Sequence, residues 1–217
     1  MFELNAQMHE DLMKSAVGVF GLIQDSTSLK SVFDINDALR NTEAMQACVD
    51  YLQSIPEVAA LIDERYVAPQ PDMPALLQLP PESLGYQYAS MLTNAGFDPN
   101  FYRVVPTTEV LDYIRLRVRQ THDIWHIVTG WGTDELGELA LQAFGFAQMH
   151  YPSAILILVA GVMSAIKHPE DLDQRVQTIY QGYEMGRQVG PFLGQKWEAA
   201  WEKPVTQWRS ELQVKVA

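Results

Sequence analysis

The chain has 217 residues, 47% hydrophobic and 19% charged, enough apolar material for a folded core, and this excludes a disordered chain. A net charge of −12 with only 15 Lys and Arg argues against nucleic acid and against docking on an anionic bilayer by charge alone. The single cysteine, Cys48, excludes an internal disulfide and fits a reducing compartment.

The elements read as helices in order. Residues 6–24 predict a first helix, with Met8, Leu12, Met13, Val17 and Phe20 recurring at helical spacing. Ser26 to Ser28 break the chain, and Asp34 to Ser54 predict a second helix opened by Asp34, Asn36 and Asp37. Pro56 starts another that ends near Tyr66. Pro69, Pro71, Pro74, Pro80 and Pro81 then forbid a long helix and predict a loop with one short turn at 74–79. Pro81 and Glu82 suit a helix start, Gly96 a C-terminal cap and Pro99 a stop. Gly85 falls inside that helix, where close backbone packing would explain it. The longest run, Thr107 to Thr129, is followed by Thr133 to Met149, capped by Thr133 or Asp134.

Pro152-Ser153 opens the apolar run AILILVAGVMSAI, Ala154 to Ile166. Its thirteen residues fall short of the roughly 20 needed to span a bilayer. It reads as a buried core helix, or as one that lines a lipid pocket or touches a membrane surface. Pro169, Glu170, Asp171 and Asp173 suit the start of a polar helix that Gly190-Pro191 stops. Two short segments flank Pro204. Alternating strand patterns are almost absent, so the expectation is all-α: an irregular helical bundle in a single domain, 1–217.

The chemistry concentrates at residues 121–148, THDIWHIVTGWGTDELGELALQAFGFAQ. With about 100° per residue, His126 lies about 40° from His122 on one helix face. That spacing lets two imidazoles share a metal. Asp123 lies about 60° from His126 and can be a third ligand or a partner behind one. After the turn Gly130 to Thr133, Glu138 begins the next helix and can fold back beside the histidines, with Glu135 one turn earlier as a substitute. Imidazole with carboxylate suits zinc, iron or manganese, with magnesium less natural; ligand type alone does not choose among them, and zinc is the first expectation. Leu111, Val118 and Trp125 flank the histidines on one side and Arg115 and Arg119 on the other. This seam suits an anionic head on a greasy body, held by Arg115 and Arg119, unless those arginines are simply a solvated edge. No catalytic residue is assigned: HExxH is absent, as are a P-loop, a dinucleotide fingerprint and an Asp-rich diphosphate motif. Cys48 reads as structural.

HDIWH, eleven residues and Glu138 resemble the HDxxH-x11-E signature of the coenzyme Q biosynthesis family usually called the fourth coenzyme Q protein. LPPESLGYQYASML, GELALQAFGFAQ, EMGRQVG and KWEAAWEKPVTQWRSEL are also similar to that family, over about residues 76–213. The resemblance implies an all-helical homodimer with a divalent metal at His122, Asp123, His126 and Glu138. It implies binding of a polyprenyl lipid and oxidative decarboxylation at C1 of a polyprenyl-hydroxybenzoate, or a scaffold for other quinone-biosynthesis enzymes. A metal-dependent prenyl phosphate hydrolase is a further reading; it would need more ligands, and only His9, His150 and His168 remain. Gly186-Arg187 and Trp197-Glu198 match family elements without an assigned role. With no targeting or transmembrane segment read, the expected place is the cytoplasm, with at most peripheral contact at the inner face of a membrane.

Overall fold

The computed structural model describes residues 6–96 and 108–216, with side chains from residue 10 onward. Pro99, Thr107 and the side chains of Met8 and His9 lie outside that description. Among the described residues there are eleven α-helices, three short 3-10 turns and no strand, so the all-α expectation holds. The helices are α1 (Ala6–Gln24), α2 (Leu29–Ala38), α3 (Glu43–Gln53), α4 (Pro56–Glu64), α5 (Met73–Leu76), α6 (Leu84–Ala95), α7 (Val110–Thr129), α8 (Glu135–Met149), α9 (Pro152–Met163), α10 (Leu172–Gln188) and α11 (Val205–Leu212). They group into two units. One holds residues 1–51 and 133–187, the other 52–132 and 188–217.

In the first unit, local capping chooses the helix ends. The expected helix from Asp34 to Ser54 is two helices, because polar side chains close the chain on either side of a break. Ser28 Oγ accepts from the Ser31 amide at 3.3 Å and starts α2 early. Thr42 Oγ1 donates to Leu39 O at 2.8 Å and accepts from the Met45 amide at 3.2 Å, ending one helix and capping the next. Asp34, Asn36 and Asp37 therefore lie within α2 rather than at its start.

The apolar stripe of α1 does not face the core. Leu12, Met13, Val17 and Phe20 are exposed, while Ser15, Gly18 and Leu22 face inward. The cause is close approach to α2: a Cβ at Gly18 would lie 2.5 Å from Ile35 Cγ1, and one at Gly21 would strike Ser31 Oγ. Leu22, Ile35 and Ala160 form the buried centre of this region, with Val32 and Leu156 among the residues packed on it.

The apolar helix α9 is also arranged unlike a core helix. It buries only Ser153, Ala154 and Ala160, and leaves Ile155 and Val159 exposed. Its fully buried residues are all small, Leu156 and Ile157 pack partly on the core, and Ile155 and Val159 face out. Elsewhere the unit is tight. Gly182 of α10 lies against the Ala140 backbone, and a Cβ at Gly186 would fall 2.6 Å from Phe144 O, so these glycines set the α8–α10 spacing. Cys48 donates its thiol to Met149 O at 3.1 Å, and burial pushes its pKa up to about 12, which makes it structural as read.

The second unit pairs segments far apart in sequence. Ser83 caps α6 by accepting from the Tyr86 amide at 3.2 Å, so the helix begins after Pro81-Glu82, with Gly85 in its first turn. Gly85 does mark close packing: a Cβ there would lie 2.7 Å from Leu79 Cδ1 and 3.0 Å from Trp201 Cβ. The Leu84 amide donates to Lys203 O at 2.9 Å, that of Gly85 to Trp201 O at 2.8 Å, and that of Val205 to Glu82 O at 2.9 Å. Trp197, fully buried, donates from Nε1 to Phe192 O at 3.1 Å. Beside it, Arg117 of α7 meets Glu198 at 2.8 Å and 3.3 Å and also donates to Gln195 O at 3.2 Å.

Candidate metal centre

Helix α7 carries both histidines and ends at a glycine that only this turn requires. Gly130 is left-handed, φ 82°, and its amide donates to His126 O at 2.9 Å. A Cβ there would also lie 2.8 Å from Val216 Cγ1. Thr129 Oγ1 folds back to donate to Trp125 O at 2.7 Å and accepts from the Trp131 amide at 3.4 Å. Asp134 then starts α8 by accepting from the Gly137 amide at 2.7 Å, which places Glu135 and Glu138 in the first turn.

Across this helix–turn–helix, one ligand atom each of His122, His126 and Glu138 lies within 4.8 Å of the others. The imidazole rings are edge to face with centroids 4.8 Å apart. His126 is buried, and His122 and Glu138 are half-buried. His126 Nδ1 lies 3.1 Å from Trp131 O. A carbonyl only accepts, so Nδ1 carries the proton and Nε2 keeps its lone pair for a metal. His122 Nδ1 faces Asp123 Oδ1 at 3.5 Å, the side from which a carboxylate orients an imidazole and raises its basicity. Asp123 is outside the three-residue group, so of the two roles open to it the geometry favours the partner behind His122. The donor set, two imidazoles and a carboxylate with each Nδ1 side facing an acceptor, fits a divalent ion.

The other sequence candidates fall as follows. Glu135 does not substitute for Glu138: it meets Arg175 Nη1 at 2.9 Å. His150 stacks on Tyr51 with centroids 3.9 Å apart, and His168 is exposed beside Glu170, so neither adds a ligand. Arg115 and Arg119 are half-buried on α7, and Leu111 and Val118 likewise, whereas Trp125 is buried and packs on Phe192 at 5.9 Å. Gly186 is a packing position, Arg187 pairs with Glu184 at 2.9 Å, and Trp197-Glu198 forms the core and the ion pair described above. Arg209 is a residue that the sequence did not single out. From α11 it donates to Val128 O and Ile127 O, each at 2.9 Å. A basic residue in a Trp-flanked C-terminal element was the only signal.

No helix among the described residues is long and apolar enough to cross a membrane.

Known proteins resemble most of this chain in sequence and fold. The family model described as "Coenzyme Q (ubiquinone) biosynthesis protein Coq4" matches residues 23–217, so the likeness starts well before the segment from 76 that carried the resemblance. The crystal structure of a candidate ubiquinone biosynthesis protein from Nostoc punctiforme superposes with a TM-score of 0.83 at 33% identity, covering 93% of this chain and 97% of that one. The Aedes aegypti relative named ubiquinone biosynthesis protein COQ4 homolog, mitochondrial, is 27% identical over 88% of this chain and 66% of its own length. The Botryotinia fuckeliana relative named ubiquinone biosynthesis protein coq4, mitochondrial, is 35% identical over 64% of this chain and 50% of its own. The chain thus spans from half to just under two thirds of these two relatives. Their names place them in mitochondria, which does not match the cytoplasmic expectation. With a family model matching residues 23–217, the chain belongs to the coenzyme Q (ubiquinone) biosynthesis protein Coq4 family.

Proposed function

We propose that this chain binds a divalent metal, zinc first, through His122, His126 and Glu138, and acts on the C1 carboxylate of a polyprenyl-hydroxybenzoate during quinone synthesis. The observation that carries the reading is the three-residue group on the family signature, with both Nδ1 atoms turned toward acceptors. Held by His122, His126 and Glu138, the ion would supply a Lewis-acid centre for a ring carboxylate or hydroxyl.

The chain's own residues then have separate tasks. His126 is held by the Trp131 carbonyl through Nδ1, which leaves Nε2 as the ligand nitrogen. Asp123 stands behind His122 and orients its ring. Arg115 and Arg119 stand seven and three residues before His122 on α7 and would hold the anionic head. The polyprenyl tail needs apolar surface, which Leu111 and Val118 begin to supply.

Purified protein given zinc and a polyprenyl-hydroxybenzoate with a labelled carboxyl should release label, and His126→Ala should abolish release. Equal release by that variant overturns the mechanism.

A second reading is favoured by the outward branched residues of α9, Ile155 and Val159. It is a lipid-binding scaffold without turnover, homodimeric, meeting other quinone-biosynthesis enzymes or the face of a membrane. That reading predicts isoprenoid lipid and metal retained in native mass spectrometry, with no label released. A prenyl phosphate hydrolase would instead release phosphate from a prenyl phosphate. Within the described residues it has no ligand set beyond the same three side chains.

A further inference from the structure

We propose that Arg209 is a positioning residue for the metal centre: by capping the end of α7 it holds the turn whose carbonyl fixes the His126 ring. The inference rests on the metal reading above for its meaning, but its geometry lies wholly in α7, the turn after it and α11.

An α-helix leaves its last four carbonyls without partners inside the helix. In α7 these belong to His126, Ile127, Val128 and Thr129. The Gly130 amide takes the carbonyl of His126 at 2.9 Å. Arg209 takes the next two: Nε donates to Val128 O and Nη2 to Ile127 O, both at 2.9 Å. The rigid fork of a guanidinium suits two adjacent carbonyls, and a cation suits the negative end of a helix. Burial lowers the pKa of Arg209, yet the group stays charged at any pH the protein meets.

His126 is in this last turn, and the acceptor for its Nδ1, Trp131 O, is two residues beyond the helix end. The same turn is pressed from the C-terminal segment at a second point, where Val216 lies against Gly130. Without Arg209, two carbonyls lose charged donors and the last turn is free to fray. Trp131 O and the imidazole then lose register. The ring nitrogen facing the metal would no longer be fixed, and metal affinity would fall although every ligand is still present. Losses of roughly 10–100-fold are typical when a partner behind a metal ligand is removed.

A test must separate this from loss of stability. The full chain is compared as wild type, Arg209→Gln, Arg209→Lys and Val205→Ala. Val205 is a buried residue of α11 that makes no contact with the α7 carbonyls in the hydrogen-bond network, so its truncation weakens the same helix without removing the cap. Zinc affinity is measured by competition with a coloured chelator. Nitrogen NMR of the metal-free protein at about pH 8, above the ordinary histidine pKa of about 6.5, reads the His126 tautomer.

Arg209→Gln should lose roughly 10–100-fold in zinc affinity and turn His126 from a single Nδ1–H form into a mixture. Arg209→Lys keeps the charge but reaches one carbonyl, and should fall between. Val205→Ala should melt lower yet keep wild-type affinity and tautomer. Unchanged affinity and tautomer in Arg209→Gln, or equal losses in Val205→Ala, overturn the proposal. If wild type binds no divalent ion, the metal reading fails, and the tautomer still decides whether Arg209 positions His126.

Discussion

The two units differ in how their helices meet and in how much large apolar surface they leave exposed. In the second, Trp197, Phe192 and Arg117 are fully enclosed, and the chain supplies Glu198 for the buried charge. In the first, helices meet through small residues: Gly18 and Gly21 of α1, Ala154 and Ala160 of α9, Gly182 and Gly186 of α10. Phe144, Ile35 and Met45 are buried there too, but the unit leaves many other large apolar side chains exposed. Among the described residues, every exposed large hydrophobic side chain apart from Val67 and Val216 belongs to the first unit. Apolar composition therefore does not tell which face of a helix is the inner one. Where α1 approaches α2 closely, Gly18 takes the inside, and Leu12, Val17 and Phe20 lie on the surface.

The largest effect should come from the second unit's buried pair. Glu198→Ala leaves Arg117 charged in a site where it is 1% exposed. Removing one partner of such a pair typically costs about 3–5 kcal/mol. Urea unfolding should show that loss, and Arg117→Met combined with Glu198→Leu should recover most of it. A loss below about 1 kcal/mol in Glu198→Ala would mean that the pair is solvated.

Next is the close approach in the first unit. Gly182→Ala places a methyl group against the Ala140 backbone, which cannot rotate away as a side chain would. Overpacking of this kind costs about 1–3 kcal/mol. A stabilised variant, as a helix interior would give on propensity alone, would show that the two helices can move apart.

These contrasts also explain what could be read from sequence. Elements punctuated by Pro, Gly or an Asp cap, such as α4, α8 and α9, were legible because those residues act within one turn. The split between α2 and α3 was not, since Thr42 looks like any other threonine until its hydroxyl is seen bonded on both sides. The metal candidates were legible because His122, His126 and Glu138 lie within one helix–turn–helix. The Arg117–Glu198 pair and the Arg209 clamp were not, because each joins residues some 80 positions apart, and no local spacing encodes them. Faces were harder still: α1 shows a good apolar stripe at helical spacing, yet its glycines decide the contact.

Cys48 gives a pH-dependent effect of intermediate size. Its folded pKa is raised from 9.0 to about 12 by burial. The folded protein therefore keeps the thiol proton in a range where the unfolded chain releases it. Stability from this group is complete below about pH 9 and declines as pH rises from there toward 12, by up to about 1.4 kcal/mol per pH unit. Urea unfolding between about pH 8 and 10 should show a steeper decline in wild type than in Cys48→Ser, since the raised pKa values of Tyr66 and Tyr113 are common to both. Alkylation of the folded protein at about pH 8 should be slow, since the thiolate is the reactive form.

The smallest effect should be on the outer face of α9. If the branched residues there are outside and the small ones inside, polar replacement of the large ones should cost little. Ile155 is 46% exposed and Val159 42%. Ile155→Ser and Val159→Ser should each change unfolding free energy by no more than about 0.5 kcal/mol, the range of ordinary surface substitutions. Ala160, at 2% exposure and in contact with Leu22 and Ile35, should behave in the opposite sense. Ala160→Val adds apolar volume to an apolar helix and should nonetheless destabilise it by about 1–3 kcal/mol. Measured together, the three variants invert the usual rule that large apolar residues matter and small ones do not. If Ile155→Ser instead cost the 2–5 kcal/mol of a buried large-to-small change, the outer face of α9 would be covered in solution, and the contrast between the two units would vanish at that helix.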